Sequence, residues 1–161
     1  MTLTRLLTTT VFCCAAGAFG CGLSAARAQQ TQSTPSGSSA KRPVPAYHSS
    51  APKGPLPPTL DPAQFSDLET RNIYALAAKV EAILYQEPCY CGCDKEDHHK
   101  SLLDCYTSMH ASGCELCKKE AVFAATESQK GKTAAQIRKE IIAGQWKTVD
   151  LSMYGGAPVA E

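Results

Sequence analysis

Three cysteines at alternate positions, Cys89, Cys91 and Cys93, stand in the run Pro88-Cys89-Tyr90-Cys91-Gly92-Cys93. Packing preference alone does not account for such a run. Extended backbone throws the three sulfurs to one side, and Gly92 lets the loop curl until they converge. Thiolates brought together repel, so convergence calls for a cation between them or for covalent S–S bonds. A second pair, Cys114 and Cys117, has the spacing of either bidentate metal ligands or a redox dithiol. Its place in a helix first turn favours the thiolate form of Cys114. Cys105 is the sixth sulfur, with His98, His99 and His110 close by in sequence as imidazole donors.

Three chemistries are open to these sulfurs. Metal binding leads, because sulfur-rich sites with imidazole suit soft or borderline ions, copper as Cu(I) or zinc as Zn(II), and six cysteines exceed what one tetrahedral ion needs. Surplus thiolates permit ligand exchange, and so the handing over of an ion. Met109, on the same helical face as Cys105, points to copper. A disulfide framework is the second reading. Bridges would stabilise a small helical core by about 2 to 4 kcal/mol each, but a bond within Cys-x-Cys is strained, so each motif cysteine needs a partner on another element. Thiol–disulfide exchange is the third, with a motif cysteine attacking and Cys114 or Cys117 resolving. No strand and helix alternation of a thioredoxin-like domain accompanies it. If the chain is an enzyme, it is a thiol–disulfide oxidoreductase, and the sequence leans against that. Asp94, Glu96, Asp97 and Asp104 read as caps and a solvated face rather than an acid/base pair, and Ser101 has no nucleophile context.

The elements that must hold these side chains read as an all-α domain over residues 61–146, a small bundle of about four helices with a Cys-rich loop. Ser66-Asp67-Leu68-Glu69 is a capping box opening the first helix, whose stripe of Ile73, Leu76, Ala77, Val80, Ile83 and Leu84 continues until Pro88 stops it. A second helix starts near Asp94 and runs through Met109. At about 100° per residue it sets His98, Leu102, Cys105 and Met109 on one face and His99, Leu103, Tyr106 and His110 on the next. Ser112-Gly113-Cys114-Glu115 is a further capping box, for a third helix with Cys114, Cys117, Ala121 and Ala125 in one stripe. Thr133 and Gln136 cap a fourth, with Ile137, Ile141 and Ile142 inward, Gly144 at its end and Trp146 over the core.

Residues 1–28 read as a secretory signal: Arg5, a short apolar run from Leu6 to Phe19, and Ala26-Arg27-Ala28 before the cleavage point. The chain is thus expected to be exported, periplasmic or extracellular. The alternative is a lipoprotein anchored to the membrane through Cys21, although the Leu usual three residues earlier is missing. Of nine cysteines, Cys13, Cys14 and Cys21 leave with the leader, and the six that remain are an even number, as a disulfide framework requires. Residues 29–60, rich in Pro, Ser, Gln and Thr, read as a disordered linker with His48 solvated inside it, and residues 147–161 as a flexible tail. The formal net charge is +1 and the basic residues are scattered, which excludes an electrostatic footprint for nucleic acid. The membrane enters only through the anchor at Cys21. An exported metalloprotein or redox partner is the kind of partner these cysteines suggest.

Pro88 to Cys93, His99-Lys100-Ser101-Leu102-Leu103-Asp104-Cys105, His110 and Cys114-x-x-Cys117 together resemble the bacterial exported proteins named for a Pro-Cys-Tyr-Cys-Gly-Cys motif, also described as a Cys-Tyr-Cys-x-Cys family with selenocysteine-bearing members. The combination is far more specific than any single pair. The family pattern has Gly before the matching histidine, where this chain has His98, so the resemblance carries over to His99. With it the ligand set becomes Cys89, Cys91, Cys93, His99, Cys105, His110, Cys114 and Cys117. The resemblance implies an exported setting but no reaction. Selenocysteine in some members implies a reactive, solvent-reachable chalcogen at the motif.

Overall fold

The structure, a computed structural model, describes residues 43–156. The signal segment, Cys13, Cys14, Cys21, the first part of the linker and residues 157–161 lie outside the described residues. Among the described residues there are helices and no strands, in agreement with the all-α expectation, and no helix is long and apolar enough to cross a membrane.

The first helix, α1, spans Leu68–Ala78 and is capped by Asp67, whose carboxylate accepts from the Thr70 amide at 2.9 Å. Two cap-competent residues stand side by side here, and the cap falls on Asp67, one residue later than the expected Ser66. Ile73, Tyr74, Leu76 and Ala77 are buried along it. The helix does not continue to Pro88. Val80 leaves helical geometry, and a separate short helix, α2, covers Glu81–Leu84. Hydrophobic spacing hides this break because Ile83 and Leu84 still fall in register.

The expected second helix is absent. Instead α3 is a single turn, Cys93–Glu96, after which His98 takes a positive φ of 58° and turns the chain. Two 3-10 turns follow, Leu102–Cys105 and Met109–Gly113. Leu102, Leu103, Cys105 and Tyr106 are all fully buried, which one face of an amphipathic helix does not permit. The few apolar residues between Asp94 and Met109 have the period of a helix by coincidence. The sorting of His98 and Met109 with Cys105 therefore lapses.

At the centre, α4 spans Glu115–Gln129 and is buried nearly all round, touching α1, α2 and the fifth helix. Ala121, Ala124 and Ala125 let its neighbours approach closely. Cys114 is its N-cap and makes no side-chain cap bond, while the expected cap Ser112 donates its hydroxyl to Met109 O at 2.6 Å. The fifth helix, α5, spans Ala134–Ile142 with the full Thr133/Gln136 capping box; Ile137 and Ile141 are buried, Ile142 is half-buried, and Gly144 ends the helix at φ +80°. Trp146 lies in the core cluster.

Both flanks are more ordered than composition suggests. Residues 43–60 lie along the helices: His48 stacks on Tyr85 with centroids 3.9 Å apart, and Arg138 stands over the Tyr47 ring at 4.7 Å. The Thr59 amide donates to Glu81 and the Leu60 amide to Tyr106 O. Prolines need no ladder bonds, so such a segment is held by ring contacts and a few amides. In the tail, Leu151 is buried, and Asn72 donates its amide to Tyr154 O at 2.7 Å.

The shifted cap gives a test of the fold. Asp67→Ala should lower the unfolding free energy by about 1 kcal/mol while Ser66→Ala leaves it nearly unchanged, read by urea denaturation of the reduced protein. The reverse order would restore the capping box to Ser66.

Candidate metal centre

The cysteine loop begins where α2 ends. Glu87 O accepts from the Leu102 amide at 2.8 Å, tying the loop to the 3-10 turn that carries Cys105. One residue past Cys89, the Tyr90 amide donates to Glu120 Oε1 at 2.9 Å, which pins the loop to α4. Gly92 then adopts φ +97°, and this turn starts α3 at Cys93. A side chain at Gly92 would have room, with only Glu96 Oε1 at 4.0 Å, so conformation and not space requires glycine. From the other side, the buried Tyr106 hydroxyl donates to Cys117 O at 2.9 Å and anchors the first turn of α4.

These restraints bring the sulfurs together. Cys89 Sγ lies 3.3 Å from Cys91 Sγ and 3.4 Å from Cys117 Sγ, and Cys93 Sγ lies 3.5 Å from Cys105 Sγ. His99 Nδ1 is 3.3 Å from Cys105 Sγ, and His110 Nε2 is 3.5 Å from Cys91 Sγ. The six cysteines among the described residues are free of disulfide bonds. Such spacings exceed the S–S bond of about 2.05 Å and approach the roughly 3.8 Å between sulfurs sharing one tetrahedral zinc.

Three tetrads of donor atoms, each with all members within 4.8 Å of one another, can hold a metal ion: Cys89, Cys91, Cys93 and Cys105; Cys91, Cys105, His110 and Cys117; and Cys93, His99, Cys105 and His110. The first offers four sulfurs, the second three sulfurs and an imidazole, and the third two of each, all of them donor sets of tetrahedral zinc sites. Cys89, Cys93, Cys105 and Cys117 are buried, whereas Cys91 is half-buried. Of the eight residues singled out in the sequence, only Cys114 belongs to no tetrad. It sits half-buried at the margin, under the influence of Cys117 and Cys91. His98 is exposed and belongs to none. Met109 is 56 % exposed, which removes the ground for preferring copper.

The electrostatics divide the thiols into two kinds. Hydrogen bonds from Cys105, then from Cys114, Cys117 and Cys89, hold Cys91 far below the usual thiol range. Those from Cys105 and Cys89 bring Cys93 down to about 4. The others rise. Cys105 favours the thiolate of Cys89, but Cys117, Cys91, Cys93 and burial outweigh it. Cys105 is likewise helped by Cys117 and overcome by Cys89, Cys91, Cys93 and burial, while Cys117 is pushed up first by Cys105 and then by Cys114. Cys114 is lowered by Cys117 and raised more by Cys91 and burial together. Its thiol therefore lies above the ordinary value, contrary to the helix-terminus expectation. Hydrogen bonding thus favours the thiolate at Cys91 and Cys93, while the remaining four sulfurs are pushed toward the thiol.

Three acidic residues belong to the site although nothing in their spacing marked them. Asp97 Oδ2 lies 3.4 Å from His110 Nδ1, which fixes the ring with Nε2 toward Cys91, as carboxylates do behind metal-bound imidazoles. Burial lowers the His110 pKa, but Cys91, Cys93 and Asp97 raise it more. Glu120 is fully buried and pushed up to about 8 by burial, against the pull of Cys89 and the Tyr90 amide. Glu87 is also fully buried and raised by burial to about 8, with Arg138 opposing. Neither Glu87 oxygen nor Glu120 Oε2 has a hydrogen-bond partner. Burial pushes both toward the neutral acid, and neither a carboxyl in the bend after α2 nor one buried in mid-helix has a sequence signature.

A cavity of about 160 Å³ opens onto Cys91 between residues 43–45 and the motif loop. The larger cavity, about 450 Å³, is lined by Glu69, Lys118, Lys119 and Asp150 among others and by no cysteine.

A family model described as a protein of unknown function with PCYCGC motif matches residues 11–149 of this chain. Comparison with curated proteins and with solved structures finds no match.

The division of the thiols is directly measurable. Brief iodoacetamide treatment of the reduced, metal-free protein near pH 6 should label Cys91 first, because it alone combines partial exposure with a depressed pKa, whereas Cys105 and Cys117 react only after unfolding. Peptide mass spectrometry reads the order. Equal labelling of all six would contradict the assigned charges.

Proposed function

We propose that this chain, which belongs to the family defined by the PCYCGC motif, is an exported protein that binds a soft or borderline metal ion, Cu(I) or Zn(II), and passes it on. The observation that carries the reading is the overlap of three sulfur and imidazole tetrads in one mostly buried cluster. Free thiols packed this closely, two of them drawn toward the thiolate, concentrate negative charge in a mostly buried cluster. A cation relieves it. Thiolate with imidazole suits Cu(I) and Zn(II) and disfavours the hard ions, which want oxygen. Transfer is supported by the rim: Cys91 and Cys114 are half-buried, and a cavity reaches Cys91. An incoming ligand can attack there without opening the core. Export rests on the leader read at residues 1–28.

Two close contacts favour a second reading. Cys89 with Cys117 and Cys93 with Cys105 are near enough that an oxidant would close them as bridges after small movements, giving a disulfide-stapled or thiol-redox protein.

The test is to prepare the full-length protein reduced and without oxygen, add Cu(I) or Zn(II), remove unbound ion and measure metal per chain. At least one equivalent is expected, with loss of binding under a chelator. Less than about a tenth of an equivalent for both ions would remove the proposal. The staple reading then requires protein taken directly from its own compartment to contain no free thiol by intact mass.

A further inference from the structure

We propose that the centre holds two divalent ions together as a thiolate-bridged pair, with Cys93 and Cys105 as bridges, Cys89 and Cys91 completing one ion, and His99 and His110 completing the other. This rests on the metal-binding reading above and specifies its stoichiometry and ligands.

The three tetrads are not three sites. Cys105 belongs to all of them, and Cys91, Cys93 and His110 belong to two each. A single four-coordinate ion satisfies one tetrad and leaves the donors peculiar to the other two without an ion. These are Cys89, Cys117 and His99, one in each tetrad. A thiolate sulfur has several lone pairs and can serve two ions, whereas a ring nitrogen has one and cannot. That asymmetry decides which tetrads can be filled side by side. The second and third both need the His110 ring, whose Nε2 lies toward Cys91 and whose other nitrogen is turned to Asp97, so they exclude each other. The first and third share only Cys93 and Cys105, both sulfurs, 3.5 Å apart. The first and second share only Cys91 and Cys105, also both sulfurs.

Charge separates these two remaining pairs. The first and second tetrads together use five cysteines, so two divalent ions would leave one negative charge in a site whose Cys89, Cys93, Cys105 and Cys117 are nearly inaccessible to water. The first and third use four thiolates and two neutral imidazoles, and two divalent ions then leave none. Cys117 stays a thiol beside Cys89, at 3.4 Å. Binding is proton exchange without redox change: the thiols of Cys89, Cys91, Cys93 and Cys105 give up to solvent whatever protons they still carry, and the sulfur pairs bond the ions. His99 Nδ1, already 3.3 Å from Cys105, is poised as the terminal ligand of the second ion.

The experiment uses reduced full-length protein in which Cys13→Ser, Cys14→Ser and Cys21→Ser remove the other thiols, titrated with Zn(II) without oxygen and read by native mass spectrometry. Two zinc ions per chain are expected at saturation. His99→Ala, at a half-buried position, should hold one, His98→Ala should still hold two, and Cys105→Ser should hold no more than one. Circular dichroism checks that the variants are folded, and if Cys105→Ser is not, His99→Ala carries the test. Saturation at one ion overturns the pair and leaves the metal-binding function standing, whereas no zinc and no Cu(I) bound overturns both. Two ions retained in His99→Ala, or two ions bound without a metal–metal vector in the zinc X-ray absorption spectrum, also overturn the bridged arrangement.

Discussion

The fold is organised around the confinement of seven sulfur and nitrogen donors, four of them buried sulfurs and three half-buried at the rim. In water, thiolates a few ångströms apart would separate or protonate. Here they cannot separate, because the backbone on every side is tied: Tyr90 to Glu120, Leu102 to Glu87, and Cys117 to Tyr106. Protonation is the remaining escape, and only part of the cluster takes it. Cys91 and Cys93 are drawn toward the thiolate because their neighbours donate to them. The low pKa values of these two sulfurs dispose the cluster toward negative charge, the condition under which its donors could hold a cation.

The scaffold around the cluster is arranged so as not to compete with that charge. Ionised carboxylates at Glu87 and Glu120 would oppose thiolate formation; burial pushes both toward the neutral form, and Glu120 accepts the Tyr90 amide. The positive charge buried in α4, Lys118, is paired with Glu69 at 3.0 Å and bonded to Thr70. It is therefore not a fixed counter-ion for the sulfurs. Tyr106 supplies its hydroxyl to the backbone of Cys117 and its ring to Tyr74, filling the space behind the site with rigid apolar matter. A dry wall strengthens each electrostatic interaction inside it, including that with a bound metal.

How far this was legible in the sequence depended on whether the signal was local. The motif loop, Cys105, His99, His110 and Cys117 are recognisable because sulfur and imidazole are rare and their spacing is short. The capping box at Thr133 was legible for the same reason. What failed was inference across distance. The run from Asp94 to Met109 has helical period, yet Leu102, Leu103, Cys105 and Tyr106 are buried on several sides, so tertiary packing overrode periodicity. Composition made a spacer of residues 29–60, but in its described part His48 and Tyr47 find aromatic and guanidinium partners far along the chain, on Tyr85 and Arg138. Asp97 read as a helix carboxylate and is the partner of His110, a role created by the turn at His98. That turn is also why His99 reaches Cys105: with α3 one turn long, the chain reverses and brings the imidazole back over the motif.

The same reversal gives the cluster an inside and an outside. Cys105 and Cys117 are set by elements that bury them completely, one in a 3-10 turn of the core and one in the first turn of the central helix. Cys91 sits at the apex of the loop between two restraints, with the Tyr90 amide held on one side and the left-handed Gly92 on the other. It therefore faces the cavity under residues 43–45 while its sulfur still touches Cys89 and His110. Of the motif three, Cys91 is the least buried, and its neighbours hold its pKa low. The alternation of cysteines follows from this. Cys89 and Cys93 are turned inward by the loop's two ends, and only the middle position can be kept at the boundary between the buried cluster and water.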